Sequence, residues 1–510
     1  MVAVLRKVQP MKVPSLVAAS IISLLRPAAA VEYLTVIGDS LTKEYQVTFP
    51  GFRIPLVGVE VDGIDVTNPG ARNWAEILHE RRSGAFNLGR FRNDPDIFDL
   101  DIWSDLRLLG HEYNWALPGG TSRTLQLILT DPDSSELLED ADFSSLIALA
   151  ADWRHTGTRM RAQLQGSSAA AVIWCGGNDL RFGNTDPFTK INGVQITYGT
   201  IYHGDGTGAG DPAPLMNSIR DNIKAIGQYM RGANPTLPIV IIAVPHIGCA
   251  PSVKAAWPTD SVRTGRISNA LAALNAELQD WTENTLGGAW VDVYSETEYL
   301  ITAVLRDIGC VQFQNSADTH PAGAAAALHN RFIYSHDGFH PISAFHARVA
   351  QQVQAKLREK WPARFGASVP LSDRELVTGI LGIPAQTGFD EFMAASGAPA
   401  GQRGALHDPD GDGLPNIFEF ALSGNDPWNS RRPAVPQPGF TGGAATLHWS
   451  PSCVSNIYAQ AVCQQSSGLT TWTAVPAEQI SENADGTFTA SVPATGGAPV
   501  FLRLKVTAAP

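Results

Sequence analysis

Four short stretches of this chain carry residues able to do nucleophilic chemistry, and they lie far apart in sequence. The first is Gly38-Asp39-Ser40-Leu41. A serine hydroxyl is a weak nucleophile at neutral pH and needs a base beside it. Asp337-Gly338-Phe339-His340-Pro341 can supply one. An aspartate three residues before a histidine can hold the imidazole Nδ1–H, leaving the other ring nitrogen to take a serine proton. His336 competes for that role but has no equivalent upstream carboxylate. The remaining two stretches could serve a developing oxyanion. Gly119, in Asn114-Trp115-Ala116-Leu117-Pro118-Gly119-Gly120-Thr121, lets a backbone N–H approach without a side chain in the way. Asn178, in Gly176-Gly177-Asn178-Asp179, offers an amide donor. Each stretch alone has an ordinary structural explanation, as a helix cap, a glycine turn or an Asx-turn.

A fifth stretch is of another kind. Asp408-Pro409-Asp410-Gly411-Asp412-Gly413-Leu414-Pro415-Asn416-Ile417-Phe418-Glu419 places oxygen donors at positions 1, 3, 5, 9 and 12 of a loop with glycine at position 6. That is the spacing of an EF-hand calcium loop, with the Leu414 carbonyl as a further ligand. A structural Ca²⁺ held by Asp408, Asp410, Asp412, Leu414, Asn416 and Glu419 is the expectation, with an acidic solvated turn as the alternative. No metal or other cofactor is expected in the catalysis itself.

The elements that must position these residues can be traced from hydrophobic periodicity. Between residues 31 and 365 short β runs alternate with amphipathic helices, the pattern of a mostly parallel α/β sheet. Strands are expected at Tyr33–Ile37, Ala169–Trp174 and Ile239–Val244, and helices at Asn73–Arg81, Leu125–Thr130, Met216–Arg231, Arg266–Glu283 and Ala344–Trp361. The strands run into the polar stretches, and ligands bind at the carboxyl edge of such sheets. The segment 181–214 is expected as a long loop with one hairpin around Val194–Tyr202, serving as an active-site rim or as an idle insertion.

Residues 366–431 combine helical fragments with the acidic loop, and a Pro-rich linker from Arg432 to Gly439 follows. The remainder of residues 432–510 has the alternation of a small antiparallel β-sandwich, with strands at Ala445–Trp449, Ile457–Gln464, Thr487–Val492 and Val500–Val506. Trp449 and Trp472 could form a sugar platform there, or belong to its core.

At the N-terminus, Arg6, Lys7 and Lys12 precede an apolar run from Val13 to Leu25 and the small residues Ala28-Ala29-Ala30. Residues 1–30 are therefore expected to be a secretory signal, with a retained anchor as the alternative. Secretion, extracellular or periplasmic, would permit disulfides among the five cysteines. Cys453 with Cys463 is the expected pair, Cys249 with Cys310 a weaker one, and Cys175 a buried free thiol. The formal net charge of −12 argues against a nucleic-acid partner, and no other apolar stretch is long enough for a stable membrane span.

Taken together, the four blocks resemble the SGNH subgroup of the GDSL hydrolase family, over about residues 33 to 350. The resemblance implies a flavodoxin-like three-layer α/β/α domain and a Ser-His-Asp triad. Ser40 would be the nucleophile, His340 the base and Asp337 its orienter, with Ser40 N–H, Gly119 N–H and the Asn178 amide as oxyanion donors. Val244-Pro245-His246-Ile247-Gly248-Cys249-Ala250-Pro251 is similar to a segment of lipase-type members but differs at His246, which leaves the acyl-pocket preference open. The expected activity is hydrolysis of lipid or small acyl esters. Deacetylation of an acetylated polysaccharide, engaged through the C-terminal module, is one alternative. A non-catalytic carbohydrate-binding or adhesion protein is the other. Gly-x-Ser-x-Gly is absent, which disfavours the α/β-hydrolase fold.

Overall fold

The computed structural model of the chain describes residues 33–45, 52–53, 60–61, 70–92, 105–107, 110–139, 153–180, 190–191, 194–321, 323–428, 435–453, 456–494 and 499–508. The expected signal segment lies outside the described residues, as does 181–189 of the long insertion.

Four parallel strands form the central sheet in sequential order: β1 (Tyr33–Gly38), β2 (Ser168–Trp174), β3 (Ile239–Ile242) and β4 (Ala289–Val291). Their side chains alternate between two cores. Ala171, Ile173, Ile239 and Ile241 pack into one, with helices Ser122–Thr130, Ala213–Ala233 and Arg263–Asp280. Ala170, Val172, Trp174, Val240 and Ile242 face the other, with helices Trp74–Arg82 and Ser343–Lys360. A strand buried on both faces needs apolar residues at every position, which is why these segments look like uninterrupted apolar runs. The result is the three-layer α/β/α domain.

Beyond β1 the chain runs parallel to the sheet without becoming a regular strand. Tyr33 bridges to Asn87, and Val36 to Asn114. Val36 N–H donates to Tyr113 O, Trp115 N–H to Val36 O and Leu117 N–H to Gly38 O, at 2.8–2.9 Å. This irregular edge segment carries Gly119 to the same end of the sheet as Ser40.

Strand β4 was not expected, and neither were β5 (Leu305–Ile308), β6 (Val311–Ala317) and β7 (Phe332–Tyr334). β5 and β6 form a hairpin, and β7 pairs parallel to β6. In β6, buried Val311 and Phe313 alternate with exposed Gln312 and Gln314, a period-2 signal present in the sequence itself. β7 leads directly to Asp337 and His340.

Within the described part of the 181–214 segment, the hairpin lies earlier than expected. Lys190–Ile191 pairs with Val194–Gln195, and Tyr198–His203 is helical. The cause is a reciprocal cap: Thr197 Oγ1 accepts Thr200 N–H at 3.2 Å, and Thr200 Oγ1 accepts Thr197 N–H at 2.8 Å. The β-branched and aromatic residues here resemble a strand in composition, but the cap commits them to a helix.

The C-terminal module packs two antiparallel sheets around Leu422, Leu447, Trp449, Cys463, Ala490 and Val492. The Pro-rich linker ends sooner than expected, because Gln437–Thr441 is a strand paired with Ala444–Trp449. It lies at the edge of its sheet, where Pro438 is tolerated. Trp449 stacks on Phe488 inside the sandwich, so it offers no sugar platform, and Arg503 lies 4.2 Å over the Trp472 ring.

The disulfide also differs from expectation. Cys310 pairs with Cys453, with Cα atoms 6.0 Å apart. Cys463 is a free thiol buried in the sandwich core, while Cys249 is buried against the Tyr334 hydroxyl at 2.8 Å. Cys175 is a buried free thiol. The bond therefore joins the turn between β5 and β6 to the connection between strands Ala444–Trp449 and Ala459–Ser466 of the C-terminal module. No helix among the described residues is long and apolar enough to cross a membrane.

Candidate active site

The cleft forms where the sheet's carboxyl ends meet the β7 loop. Ser40 follows β1 through Gly38, a position closed to any side chain. A Cβ there would lie 2.3 Å from Trp174 O and 2.6 Å from Thr42 Oγ1. Asp39 O accepts Thr42 N–H and Lys43 N–H, at 3.0 and 3.1 Å, which turns the chain sharply and presents Ser40.

His340 is held by its own loop. Asp337 Oδ1 accepts the Ser335 hydroxyl (2.6 Å) and the N–H groups of Phe339 (2.8 Å) and His340 (3.0 Å). Asp337 Oδ2 lies 2.5 Å from His340 Nδ1, and His340 Nε2 lies 3.0 Å from Ser40 Oγ. Burial alone would raise the Asp337 pKa, but the bonds and charge of His340 outweigh it and hold the carboxyl at about 2. His336 is exposed, and it is His340 that reaches Ser40.

Of the oxyanion candidates, Ser40 and Asn178 line the cleft, and the Gly119 turn is tied to Asn178. Gly119 has φ +76°, in a tight turn where Gly120 N–H donates to Leu117 O at 3.0 Å. Asn178 Nδ2 donates to Gly120 O at 3.2 Å, tying the third block to the second. An amide nitrogen has two donors, so one N–H remains to be offered to a substrate oxygen. Neighbouring Asp179 accepts both Ser122 N–H (2.8 Å) and the Ser122 hydroxyl (2.6 Å), which anchors the helix that follows the glycine turn.

Three contributors were missed at the level of sequence. Tyr45 OH lies 2.9 Å from Pro341 O and 2.8 Å from His346 Nε2, joining the segment after Ser40 to the loop that carries His340. Burial, with His340 nearby, pushes the His346 pKa down to about 3, so it stays neutral. Nothing in the local sequence marks this pair, whose members lie 301 residues apart. Asp39 is the third. Burial pushes its carboxyl up to about 7, against a 2.9 Å hydrogen bond from Leu41 N–H and the opposing charge of His340.

The cleft encloses about 480 Å³, part of it open to solvent, and much of its lining is apolar: Leu41, Pro245, Ile247, Ala250, Phe339 and Phe345. His246 belongs to its wall and is no second base. Its Nδ1 accepts Gly248 N–H at 3.1 Å, its Nε2 lies 3.2 Å from Ser268 Oγ, and burial lowers its pKa to about 4.

The acidic loop forms a separate site. One ligand atom each from Asp408, Asp410 and Asp412 fall within 4.8 Å of one another. Leu414 lies in the same turn, its N–H donating to Asp412 Oδ1 at 2.8 Å. Asn416 is fully buried and Glu419 is 1% exposed. Asp410 Oδ2, Asn416 Oδ1 and Glu419 Oε2 are buried acceptors with no hydrogen-bond partner among the described residues. Burial first, and then Asp410, Asp412 and Asp408, push the Glu419 pKa up to about 8. Unpartnered oxygens and mutually repelling carboxylates fit a hard cation.

A family model described as GDSL-like lipase/acylhydrolase matches residues 34–353, more than half of the chain. Curated proteins give no match. Similar solved structures include a carbohydrate esterase family 3 protein from Talaromyces cellulolyticus (14% identity, 64% of this chain and 97% of that one, TM-score 0.28). An extracellular lipase from Streptomyces rimosus is another (13%, 52% and 81%, 0.26). A third is phospholipase A1 from Streptomyces albidoflavus (10%, 64% and 100%, 0.29).

Proposed function

Because the chain belongs to the GDSL-like lipase/acylhydrolase family and is a hydrolase of ester bonds, we propose that it is a secreted serine esterase working through an acyl-Ser40 intermediate on esters with an apolar acyl group. One observation carries this reading: the unbroken contact chain from Asp337 Oδ2 through both His340 nitrogens to Ser40 Oγ, at 2.5 and 3.0 Å. Ser40 Oγ attacks the ester carbonyl as His340 Nε2 takes its proton. Asp337, ionised at any ordinary pH, holds the imidazole and stabilises its charged form. The tetrahedral oxyanion is met by Ser40 N–H, Gly119 N–H and the Asn178 amide. Collapse of that intermediate expels the alcohol, protonated by His340. Water, activated by the same histidine, then attacks the acyl-serine and releases the acid.

The apolar cleft lining supports an acyl chain from a lipid or small ester. Two features support secretion: the basic and apolar N-terminal pattern, and a disulfide of a kind that persists in oxidising compartments. Asp408, Asp410, Asp412, Asn416 and Glu419, with the Leu414 carbonyl, would hold Ca²⁺. The ion would neutralise the crowded carboxylates and fix the fold between the hydrolase domain and the sandwich, outside the ester chemistry.

The test is reaction with a fluorophosphonate probe, followed by a comparison of acyl-chain esters with acetate release from acetylated xylan. Labelling of the folded chain that disappears in Ser40→Ala, with preference for acyl-chain esters, is expected. Folded chain that takes no label sinks the serine mechanism. Preferred release of acetate from xylan puts an acetylated polysaccharide in place of the acyl ester.

A further inference from the structure

A second pocket, of about 390 Å³ counting the part open to solvent, adjoins the Ser40 cleft. Its apolar walls include Val293, Leu300, Ile308, Phe313, Ile333 and Val349. The same three elements line both spaces. Helix Val293–Thr302 gives Thr297 to the cleft, and Glu296 and Leu300 to the cavity. β7 gives Tyr334 to the cleft and Ile333 to the cavity. Helix Ser343–Lys360 places Phe345 in the wall of both. Phe345 is partly buried and touches both hydrophobic cores, whereas its neighbours Ala344 and His346 are 1% and 0% exposed. The two spaces are thus neighbours across one aromatic side chain.

Resting on the acyl-serine reading above, we propose that Phe345 sets acyl-chain length: its ring closes the back of the Ser40 cleft, and its displacement admits the distal part of a long acyl chain into the second cavity. A phenylalanine reorients by moving χ1 between staggered wells and turning the ring about χ2, with no backbone movement required. The second cavity has the character such a chain needs, being concave and largely apolar. Glu296, Arg306, Arg348 and Gln352 give it a polar border, which limits the chain it accepts. Arg306 Nη2 pairs with Glu296 Oε1 there at 2.7 Å. Each methylene moved from water into this space is worth up to about fourfold in kcat/KM.

The experiment measures kcat/KM for nitrophenyl acetate, butyrate, octanoate and dodecanoate with the full-length chain. Phe345→Ala is expected to raise the dodecanoate-to-butyrate ratio at least tenfold. Phe345→Leu, a gentler change that guards against loss of folding, is expected to move it in the same direction by at least threefold. Adding Leu300→Phe, which fills the second cavity, should return the Phe345→Ala ratio to the parent value. Ratios that move less than twofold in both Phe345 variants, or a gain that survives Leu300→Phe, overturn the proposal and leave the esterase reading standing. A parent chain that cleaves none of these esters and takes no fluorophosphonate overturns the esterase reading, and this proposal with it.

Discussion

The Ser40 cleft and the 408–419 loop both draw carboxylates together, and they treat them in opposite ways. In the cleft the chain supplies its own partners. Asp337 accepts from a hydroxyl, two backbone N–H groups and an imidazole, and its pKa falls to about 2. In the loop, Glu419 is as buried as any core residue, has one oxygen without a partner, and is pushed up to about 8. A carboxylate partnered by its own loop holds its imidazole preorganised for chemistry. A site with unpaired buried oxygens is complete only when a positive charge arrives from outside the chain. Activity and stability should therefore respond to different perturbations, and the sharpest tests set one against the other.

The largest effects belong to the cleft. Ser40→Ala should lower kcat/KM on a soluble aryl ester by about 10⁴-fold or more, and Asp337→Asn by about 10⁴-fold. Asn178→Ala should cost about 100- to 1000-fold, chiefly in kcat. Thermal melts run beside the kinetics should move little for Ser40→Ala, since its hydroxyl makes one partly buried contact, worth about 1 kcal/mol. A Ser40→Ala variant that kept a tenth of parent activity would break the comparison on its catalytic side.

The difference between the two regions also shows why one sequence yields some features and hides others. Ser40, Gly119, Asn178 and His340 stand in short blocks whose residue types limit what they can do, and the structure brings these blocks to one end of the sheet. The doubly buried strands were visible for a related reason, since apolar residues at every position leave few other readings. What stayed hidden depends on long-range meetings. The Tyr45–His346 contact spans 301 residues and the Cys310–Cys453 bond 143, and neither partner looks unusual in its own neighbourhood. The Thr197–Thr200 cap was a local signal, outweighed by the strand-like composition around it. The β6 alternation was equally local, a pattern of 2 in a stretch with no motif to draw attention to it.

The loop should answer to metal instead. Chelation with EDTA is expected to lower Tm by on the order of 5–10 °C relative to saturating calcium, because a ligand bound only by the folded state stabilises it by mass action. The initial rate of ester hydrolysis below both melting temperatures should stay within about twofold. Asp408→Asn combined with Asp410→Asn should abolish the calcium-dependent part of the shift. Melting unchanged by chelation and by added calcium sinks the assignment. A rate that collapses on chelation, in a chain still folded, would show that the two regions are not independent.

The smallest effect concerns a carboxylate that lies in the cleft yet is pushed upward as Glu419 is. Burial holds the Asp39 carboxyl at about 7, while Asp337, in the same cleft, is held at about 2. A carboxyl raised by folding binds its proton more tightly in the native state. Its contribution to stability is therefore full below the unfolded value of about 4, and is lost as pH rises through about 7. Asp337 has the opposite sign: its contribution is present above about 4 and is lost as pH falls towards 2. The two windows do not overlap, and comparison with Asp39→Asn cancels the other groups whose protonation changes between pH 5 and 8, Glu419 and His346 among them. Asn at position 39 keeps a side-chain oxygen for Leu41 N–H but cannot ionise. The parent should lose a few degrees more of Tm than Asp39→Asn on passing from pH 5 to pH 8. Melts of the two proteins that run parallel across that interval would mean that Asp39 ionises without cost, and that burial beside His340 and Asp179 does not govern it.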